Sequence, residues 1–482
     1  MNLEEKIESL EVRLAQLFQR IDILEQDNAA LKKENTILKA ENAILKRENT
    51  ILKAENLSLK QKLNLNSGNS SKPPSSDFIK QPGIPRKKGG PRGGKEGHEG
   101  NTLKMVETAD KQEVHYSENC SHCGDHLEKE TYRLGAESRQ VWDIEKISFT
   151  ITEHRIAVQK CTKCGILNSG KFPQYATQPT QYGPNIKGLC VYMNNECNIP
   201  YEKISQLTED LFGQRINNAS ILNMQTACAQ KLSPVMAHIK QQVINSAVVH
   251  LDETGARTEG KNYWVHTAST PKYTYMFSHR NRGHKATDSE DSILKDFTGT
   301  GVTDFLPAYE KYSMTHSYCN AHLLRDLRSA SETGAAWANE MSDFLLSTKA
   351  AAEAQGGALT EADYIKCEKQ YDEIVKKAAE ANDTVKKTKA LIKRLSKHKS
   401  GILGFAKNQE VPFTNNLAER DIRPVKTKLK VATSFRSEKG LKAFTEIRSF
   451  ISTIKKHSMN AQSALIALMG GSFSVASFQQ AK

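Results

Sequence analysis

The chain has 482 residues and a net charge of +13, with 38% hydrophobic and 26% charged residues. Its length suggests about three domains, and its positive excess indicates a polyanionic partner such as nucleic acid, although a solvated basic surface without a partner is an alternative. It has no apolar run long enough to span a bilayer and no signal-peptide core, so we expect a cytoplasmic protein without a membrane partner. In that compartment its nine cysteines are expected to be thiols or metal ligands.

Residues 1–65 carry a heptad repeat, in which leucine occurs at every seventh position from Leu3 to Leu59. With leucine at d, the asparagines from Asn28 to Asn56 fall at a, and glutamate and lysine fall at g and e. This pattern predicts a parallel two-stranded coiled coil and hence a homodimer. The alternative, a single solvated helix, would leave the leucines exposed.

Residues 66–104 are rich in glycine, proline, serine and basic residues. Such a segment cannot bury a core, so we expect a flexible linker. Its cations are candidate contacts to DNA phosphates through charge alone, and a plain solvated tether is equally compatible with the composition. The candidates are Arg86, Lys87, Lys88 and Arg92.

Residues 105–172 contain two CxxC pairs, Cys120 with Cys123 and Cys161 with Cys164, and a glycine follows each pair. Four thiolates in two short turns suit tetrahedral Zn²⁺, and strand-like runs lie between them, so we predict a zinc-ribbon-like module with structural zinc. A redox role is the rival interpretation, but it would require a βαβ pattern that is absent here.

Residues 173–240 are predicted to be helical. A helix-turn-helix whose second helix lies near 218–232 is conceivable. That second helix is poor in arginine and lysine, so ordinary core packing is the preferred interpretation.

Residues 241–434 are predicted to form an α/β domain. Strands are expected at 247–252, 262–269 and 273–277, followed by a helix at 283–297 and a short strand that ends at Asp304. A further strand then enters a helix in "HSYCNAHLLRDL". This is the element order of an RNase H-like fold, in which the ends of the first and fourth strands are adjacent. Asp252 and Asp304 would then meet, and two close carboxylates call for a hard cation such as Mg²⁺ or Mn²⁺.

A third acid, Glu419, lies in "VPFTNNLAERDIRPVKTKLK". A capping box formed by Asn416 and Glu419 is an alternative reading of this spacing. A basic run follows, whose side chains are candidate contacts to DNA phosphates, and plain solvated cations are the alternative for any one of them. The candidates are Arg420, Arg423, Lys426, Lys428, Lys430 and Arg436.

Taken together, the sequence resembles the DDE transposases of insertion sequence family sixty-six over nearly its whole length. The resemblance is carried by the leucine-zipper start, the paired CxxC motifs and five local patterns. The patterns are "SSKPPSSD" at 70–77, "GGKEGHEG" at 93–100, "HLDETG" at 250–255, "CNAHLLRDL" at 319–327 and "NNLAERDIRPVK" at 415–426.

The resemblance implies that Asp252, Asp304 and Glu419 form the catalytic triad. It also implies a helical insertion at about 335–400 within the catalytic domain, and residues 435–482 are expected to form a C-terminal helical segment. The insertion carries basic residues from Lys386 to Lys399 that suit a DNA-facing surface. One departure is Thr414, where the family commonly has an acid; we expect Thr414 to cap the helix that follows.

The expected function is therefore that of a bacterial insertion-sequence transposase associated with the nucleoid. Two Mg²⁺ or Mn²⁺ ions would activate water to cut the element's ends, and the freed 3′-hydroxyls would attack target DNA. His322 and Arg325 are candidate supporting residues, and for His322 a structural hydrogen-bonding role is an alternative. Accessory proteins of the same element are possible partners. The rival hypotheses are a catalytically inactive DNA-binding or regulatory relative and a structural coiled-coil zinc adaptor.

Overall fold

The computed structural model of the chain describes residues 3–64, 105–127, 138–143, 148–381 and 385–480. The described residues divide into two compact units. One unit contains residues 3–64, 228–464 and the C-terminal residues from 473, and the other contains the described residues from 105 to 227 together with 465–472. Within these ranges, no helix is long and apolar enough to cross a membrane.

The N-terminal heptad region forms one continuous helix, α1 (Leu3–Asn64). The heptad leucines from Leu17 to Leu59 are exposed in the single chain, as shown by Leu24 at 59% and Leu38 at 54%. Such a stripe of leucine is an unsatisfied apolar face, and its partner stays a prediction. The candidate DNA contacts of the linker, Arg86, Lys87, Lys88 and Arg92, lie outside the described residues.

In the second unit, a small hairpin precedes three helices. The hairpin pairs β1 (Val158–Lys160) with β2 (Leu167–Ser169). The helices are α2 (Pro184–Asn195), α3 (Tyr201–Phe212) and α4 (Asn218–Ile244), the last of which continues into the first unit. The turn after α3 uses Gly213 in the left-handed conformation. Helix α4 begins where the second helix was expected but runs on to Ile244, through Pro234.

A five-stranded mixed sheet organises the first unit, with the spatial order β5-β4-β3-β6-β7. The antiparallel part contains β3, β4 and β5, while β6 and β7 continue from β3 in parallel. The strands are β3 (Val248–Thr258), β4 (Lys261–Ser269), β5 (Thr274–His279), β6 (Thr300–Thr303) and β7 (Thr315–Tyr318).

Strand β3 is longer than predicted, because Asp252 does not end it. Thr254, Ala256 and Thr258 beyond this carboxylate are buried, and β3 stays paired with β4 through Thr258. The hairpin then closes through a two-residue turn, Glu259 and Gly260, at φ 51° and 72°. A turn with two left-handed residues matches the twist of the strands that it joins.

The remaining helices lie between and after the strands. The predicted helix at 283–297 is wrong: the helix there is the single turn α5 (His284–Thr287). The others are α6 (Asn320–Ser331), α7 (Ala336–Ala354), α8 (Glu361–Glu380), α9 (Lys386–Lys397), α10 (Lys399–Ile402), α11 (Gly404–Lys407), α12 (Asn416–Ala432), α13 (Glu438–Lys456), α14 (Ala461–Gly470) and α15 (Ser477–Gln480).

Two of the apolar cores among the described residues of the first unit bear on the site. In one, α12 and α13 pack on β3, β4 and β5 through buried side chains such as Ile422, Val425 and Phe444. In the other, helices α6 to α11 surround a separate core that includes Phe344 and Tyr371. Because α12 packs directly on the sheet, the position of its first turn relative to β3 is fixed.

Candidate active site

Asp252 and Asp304 come from neighbouring parallel strands. The register pairs His250 with Val302, and continuing it by two residues brings Asp252 beside Asp304, which directly follows β6. The Asp252 Oδ1 atom accepts a hydrogen bond of 2.8 Å from the backbone N–H of Glu253. Among the described residues, the Asp304 Oδ1 atom is buried without a hydrogen-bond partner. The two carboxylates therefore share a partly dry position at the end of the parallel ladder.

The surroundings of Asp252 and Asp304 disfavour the ionisation of both carboxyl groups at once. Burial raises the pKa of Asp252 to about 7, and the charges of Glu253 and Asp304 add to the shift. Burial also raises the pKa of Asp304 to about 6, with Glu253 and Glu419 contributing. Buried carboxylates in contact remain ionised together only when a cation lies between them. The arrangement fits a divalent ion with oxygen ligands.

Glu419 lies in the first turn of α12, and its charge acts on Asp304. The residue before the helix, Asn415, is buried, and its side chain bonds to β3. Its Oδ1 atom lies 2.9 Å from the His250 Nδ1 atom, and its Nδ2 atom donates to the Leu251 carbonyl at 2.7 Å. Its backbone N–H donates to the Cys319 Sγ atom at 3.1 Å. These three bonds fix the start of α12 beside Asp252.

The capping-box alternative for Glu419 is wrong. Helix α12 is preceded by Asn415, not Asn416, and no side chain caps it. Thr414 therefore does not cap the helix either, contrary to expectation. Asn415 cannot serve as a cap because its amide is used on His250 and Leu251. The Glu419 carboxylate therefore does not take part in a capping box. Its Oε1 atom is buried without a hydrogen-bond partner among the described residues.

His322 lies next to Glu419, on the first turn of α6. Its Nδ1 atom is 3.8 Å from the Glu419 Oε1 atom and is also buried without a hydrogen-bond partner in the described part of the chain. Burial lowers the pKa of His322, and the nearby positive charge of Arg325 adds to this. The imidazole is therefore neutral at neutral pH, with a nitrogen directed at an acid.

The described residues contain one group of three or more His, Cys, Asp or Glu side chains whose donor atoms all lie within 4.8 Å of one another: Cys319, His322 and Glu419. Asp252 and Asp304 lie outside this group. The Asp304 Oδ1, Glu419 Oε1 and His322 Nδ1 atoms are each buried without a hydrogen-bond partner among the described residues. Unsatisfied buried acceptors are costly unless an ion or water completes them. The donor chemistry of this site thus fits a bound cation.

The basic face of α12 begins at this site. Arg423, Lys426 and Lys430 follow Glu419 at intervals of three or four residues and are exposed on one face, and Arg420 is exposed beside them. The charge of Lys426 opposes the rise in the pKa of Asp252. Four of the five candidate cations on this helix are therefore exposed.

Lys428 is placed differently from the other candidates. It is buried, its ammonium lies 5.8 Å from the centre of the Phe444 ring, and burial lowers its pKa to about 8. A buried ammonium on the sheet side of the helix does not reach a surface phosphate, so we omit Lys428 from the DNA-facing set.

The sequence analysis did not identify a role for Glu253, which the structure places in a buried network beside the acids. Its side chain is 1% exposed and accepts from the Arg282 Nη2 atom at 2.7 Å. It also accepts from the Tyr309 hydroxyl at 2.8 Å. The partners lie 29 and 56 residues away in the chain, so no local spacing could have indicated them.

A buried ion pair supports α12 from the other side of the helix. The Lys456 Nζ atom lies 2.6 Å from the Asp421 Oδ2 atom, with side-chain exposures of 10% and 8%. Ser269 and Thr274 donate to the same oxygen at 2.8 and 2.9 Å. The network joins α12 and α13 to β4 and β5, so it fixes the helix that carries Glu419.

The two CxxC pairs form matching turns. The N–H of Gly124 donates to the Cys120 carbonyl at 2.9 Å, and the N–H of Gly165 donates to the Cys161 carbonyl at 2.8 Å. Both glycines are left-handed, at φ 77° and 76°. Backbone N–H groups lower the thiol pKa of Cys120, that of Cys123 most strongly, and those of Cys164 and Lys163 do the same for Cys161.

In the described part of the chain, no three of the thiols Cys120, Cys123, Cys161 and Cys164 lie within 4.8 Å of one another. Each turn alone has the glycine and the inward N–H groups that a thiolate pair requires. The four-thiolate site stays a prediction.

Comparison with protein families gives two matches. A family of unknown function matches residues 2–104, and no curated protein matches the chain. The transposase IS66 family matches residues 179–443, which is more than half of the 482 residues and includes Asp252, Asp304 and Glu419. The chain therefore belongs to the IS66 family of transposases.

Proposed function

We propose that the chain is a DDE-type transposase whose catalytic acids are Asp252, Asp304 and Glu419. One observation carries the proposal: these acids come from two adjacent parallel strands and a helix on the same sheet, and two of them leave a buried oxygen without a partner. The strand order β5-β4-β3-β6-β7, antiparallel on one side and parallel on the other, also agrees with an RNase H-like fold. Family membership supports DNA as the substrate.

In this proposal, the three carboxylates hold two Mg²⁺ or Mn²⁺ ions. When bound, such ions lower the pKa of an attacking oxygen and neutralise charge on the leaving oxygen. Hydrolysis at an element end would break a phosphodiester bond and free a 3′-hydroxyl. That hydroxyl would then lose its proton and attack a phosphorus atom of the target DNA. A new P–O bond would form as the target P–O3′ bond breaks, and the target's 3′-oxygen would leave and take up a proton.

The protein's own side chains would position the DNA. Arg420, Arg423, Lys426 and Lys430 on the exposed face of α12 are suited to phosphates that flank the cut. His322, 3.8 Å from Glu419, would orient that carboxylate. Burial, aided by the charge of half-buried Arg325, lowers the pKa of His322 and would keep its imidazole neutral. The asparagine bonds at Asn415 would hold Glu419 in place before DNA arrives.

Outside the sheet domain, we propose a structural Zn²⁺ held by Cys120, Cys123, Cys161 and Cys164, and a parallel dimer through α1. The matching left-handed glycine turns support the first proposal. The exposed heptad leucines support the second, because a partner helix would bury them.

Cleavage of DNA that carries the element's own ends tests the proposed function. The wild-type protein is expected to produce new 3′-hydroxyl ends in Mg²⁺ or Mn²⁺ but none in EDTA. Asp252→Ala is expected to produce none in any metal. Cleavage that survived this substitution would contradict the catalytic assignment, and DNA binding by the wild type without cleavage in either metal would favour an inactive, regulatory relative.

Zinc content tests the four-thiolate site independently of catalysis. Cys120→Ser and Cys161→Ser are each expected to lower bound zinc from one ion per chain to nearly none, because three thiolates bind far more weakly than four. Elemental analysis of purified protein measures this, and Cys228→Ser, which alters a buried cysteine elsewhere, is the control. Full zinc in the Cys120 variant would refute the site.

A further inference from the structure

Arg282 is held in one position beside the acids. Its Nε and Nη2 atoms donate to the Glu253 Oε1 atom at 3.0 and 2.7 Å. Its guanidinium carbon lies 4.9 Å from the centre of the Trp264 ring. Glu253 is in turn fixed by the Tyr309 hydroxyl. An arginine clamped by a buried carboxylate and an aromatic face has lost most of its rotamer freedom.

The clamped guanidinium nevertheless remains open to solvent. The Arg282 side chain is 43% exposed, whereas the Glu253 side chain is 1% exposed. The two bonds to Glu253 use Nε and Nη2, so the Nη1 edge keeps donors for another partner. A group that only neutralised a buried charge would gain nothing from this exposed edge.

Arg282 and Lys426 act on different acids of the pair. Among the charges that act on Asp304, Arg282 is the leading cation. Among the charges that act on Asp252, the leading cation is Lys426. Both cations therefore lie near the carboxylate pair, Arg282 in the turn between β5 and α5 and Lys426 on α12.

We propose that Arg282 forms a phosphate-binding subsite on the Asp304 side, which takes a DNA phosphodiester adjacent to the one that is cut. This inference rests on the proposed function. Together with Lys426, it would place a DNA strand across the two carboxylates. A planar guanidinium with a free edge suits phosphate oxygens, and its prior immobilisation lowers the entropic cost of binding.

DNA binding measured apart from cleavage tests this subsite. The probe is a fluorescent duplex that carries the element's end, titrated by anisotropy in Ca²⁺ at several salt concentrations. Arg282→Gln is expected to weaken binding about tenfold and to reduce the slope of log affinity against log salt by about 1, since one phosphate contact is lost. Arg282→Lys is expected to keep the slope but not the full affinity, because it retains charge without the planar fork.

A double substitution separates phosphate binding from simple neutralisation of Glu253. If Arg282 serves only to neutralise that carboxylate, then Glu253→Gln combined with Arg282→Gln removes both charges and should restore binding and its salt slope. We expect the double variant to bind as weakly as Arg282→Gln, with the same reduced slope. Recovery to the wild-type affinity and slope would overturn the proposal.

Arg280→Gln is the matched control, since Arg280 is exposed in the same turn and its removal leaves the Glu253 pair intact. Its expected effect on affinity is less than about threefold. An equal loss in this variant would show that the turn contributes only diffuse charge, which also contradicts a specific subsite. If the wild type bound but never cut DNA while Arg282→Gln still lowered the slope, the proposed function would fail and the subsite would stand.

Discussion

Asp252→Asn is expected to make the metal-free protein more stable at neutral pH while removing its cleavage of DNA. The substitution keeps an Oδ1 acceptor for the N–H of Glu253 but removes a charge from a buried site. The pKa of Asp252 rises from 3.8 to about 7 on folding. Because each pKa unit corresponds to about 1.4 kcal/mol, the ionised carboxylate costs up to about 4 kcal/mol.

The pH dependence follows from the direction of the shift. A carboxyl whose pKa is raised on folding contributes stability that is complete below about 4 and is lost as the pH rises through about 7. In EDTA, the wild type should therefore lose stability across this interval relative to Asp252→Asn. At pH 8 we expect the variant to melt roughly 4–8 °C higher than the wild type. This corresponds to a gain of about 2 kcal/mol in the free energy of unfolding, about half of the upper limit given above.

Thermal melting in EDTA and in Mg²⁺ measures this effect. Mg²⁺ or Mn²⁺ should raise the melting temperature of the wild type and have little effect on the variant, because the ion relieves the same repulsion. Glu107→Gln, which removes an exposed charge outside the sheet domain, serves as the control. A variant that melted at or below the wild-type temperature at pH 8 would show that Asp252 carries no such strain.

Asp421→Ala is expected to destabilise the sheet domain by about 3 kcal/mol. It would leave the Lys456 ammonium, 10% exposed, buried without its carboxylate, and loss of one partner of a buried pair typically costs about 3–5 kcal/mol. The lower end applies because Lys456 also donates to the carbonyls of Thr270 and Tyr273. The melting temperature should fall by roughly 6–12 °C for a domain of this size.

The control substitution is Asp343→Ala, which removes an exposed carboxylate from α7 and should change stability by less than about 0.5 kcal/mol. Asp421→Leu combined with Lys456→Met should recover most of the loss, because it removes both buried charges. If Asp421→Ala melted within about 2 °C of the wild type, the pair would not be a support of α12.

Much of the sheet could be predicted from the sequence, because its strands carry β-branched and aromatic runs with turn residues between them. Strands β4 and β5 begin within one residue of the predicted positions. The predicted helix at 283–297 was wrong because serines intervene: the Ser289 hydroxyl donates to the Ala286 carbonyl, and the Ser292 hydroxyl accepts from the Leu294 N–H. Such local bonds compete with helix formation.

In the candidate site, too, residues marked by local sequence could be predicted, whereas residues whose role depends on distant partners could not. Asp252 and Asp304 could be singled out because each follows an apolar strand run. The function of Asn415 could not, since its partners His250 and Leu251 are 165 and 164 residues away. Two adjacent asparagines also made the start of α12 ambiguous by one residue. The hydrogen bonds of Asn415 to His250 and Leu251 place this residue before the helix, and rules for helix starts do not include such long-range bonds.

The bonds at the two ends of the segment between β7 and α12 have a consequence for its length. The N–H of Asn320 donates to the Phe413 carbonyl at 3.0 Å, and the N–H of Asn415 donates to the Cys319 Sγ atom across 96 residues. The segment thus leaves and rejoins the sheet domain at neighbouring positions, and its apolar core also includes Tyr318 of β7. We therefore expect insertions or deletions in its outer helices α7 to α9 to leave Glu419 in place, so that the size and surface of these helices can change while the three acids keep their positions.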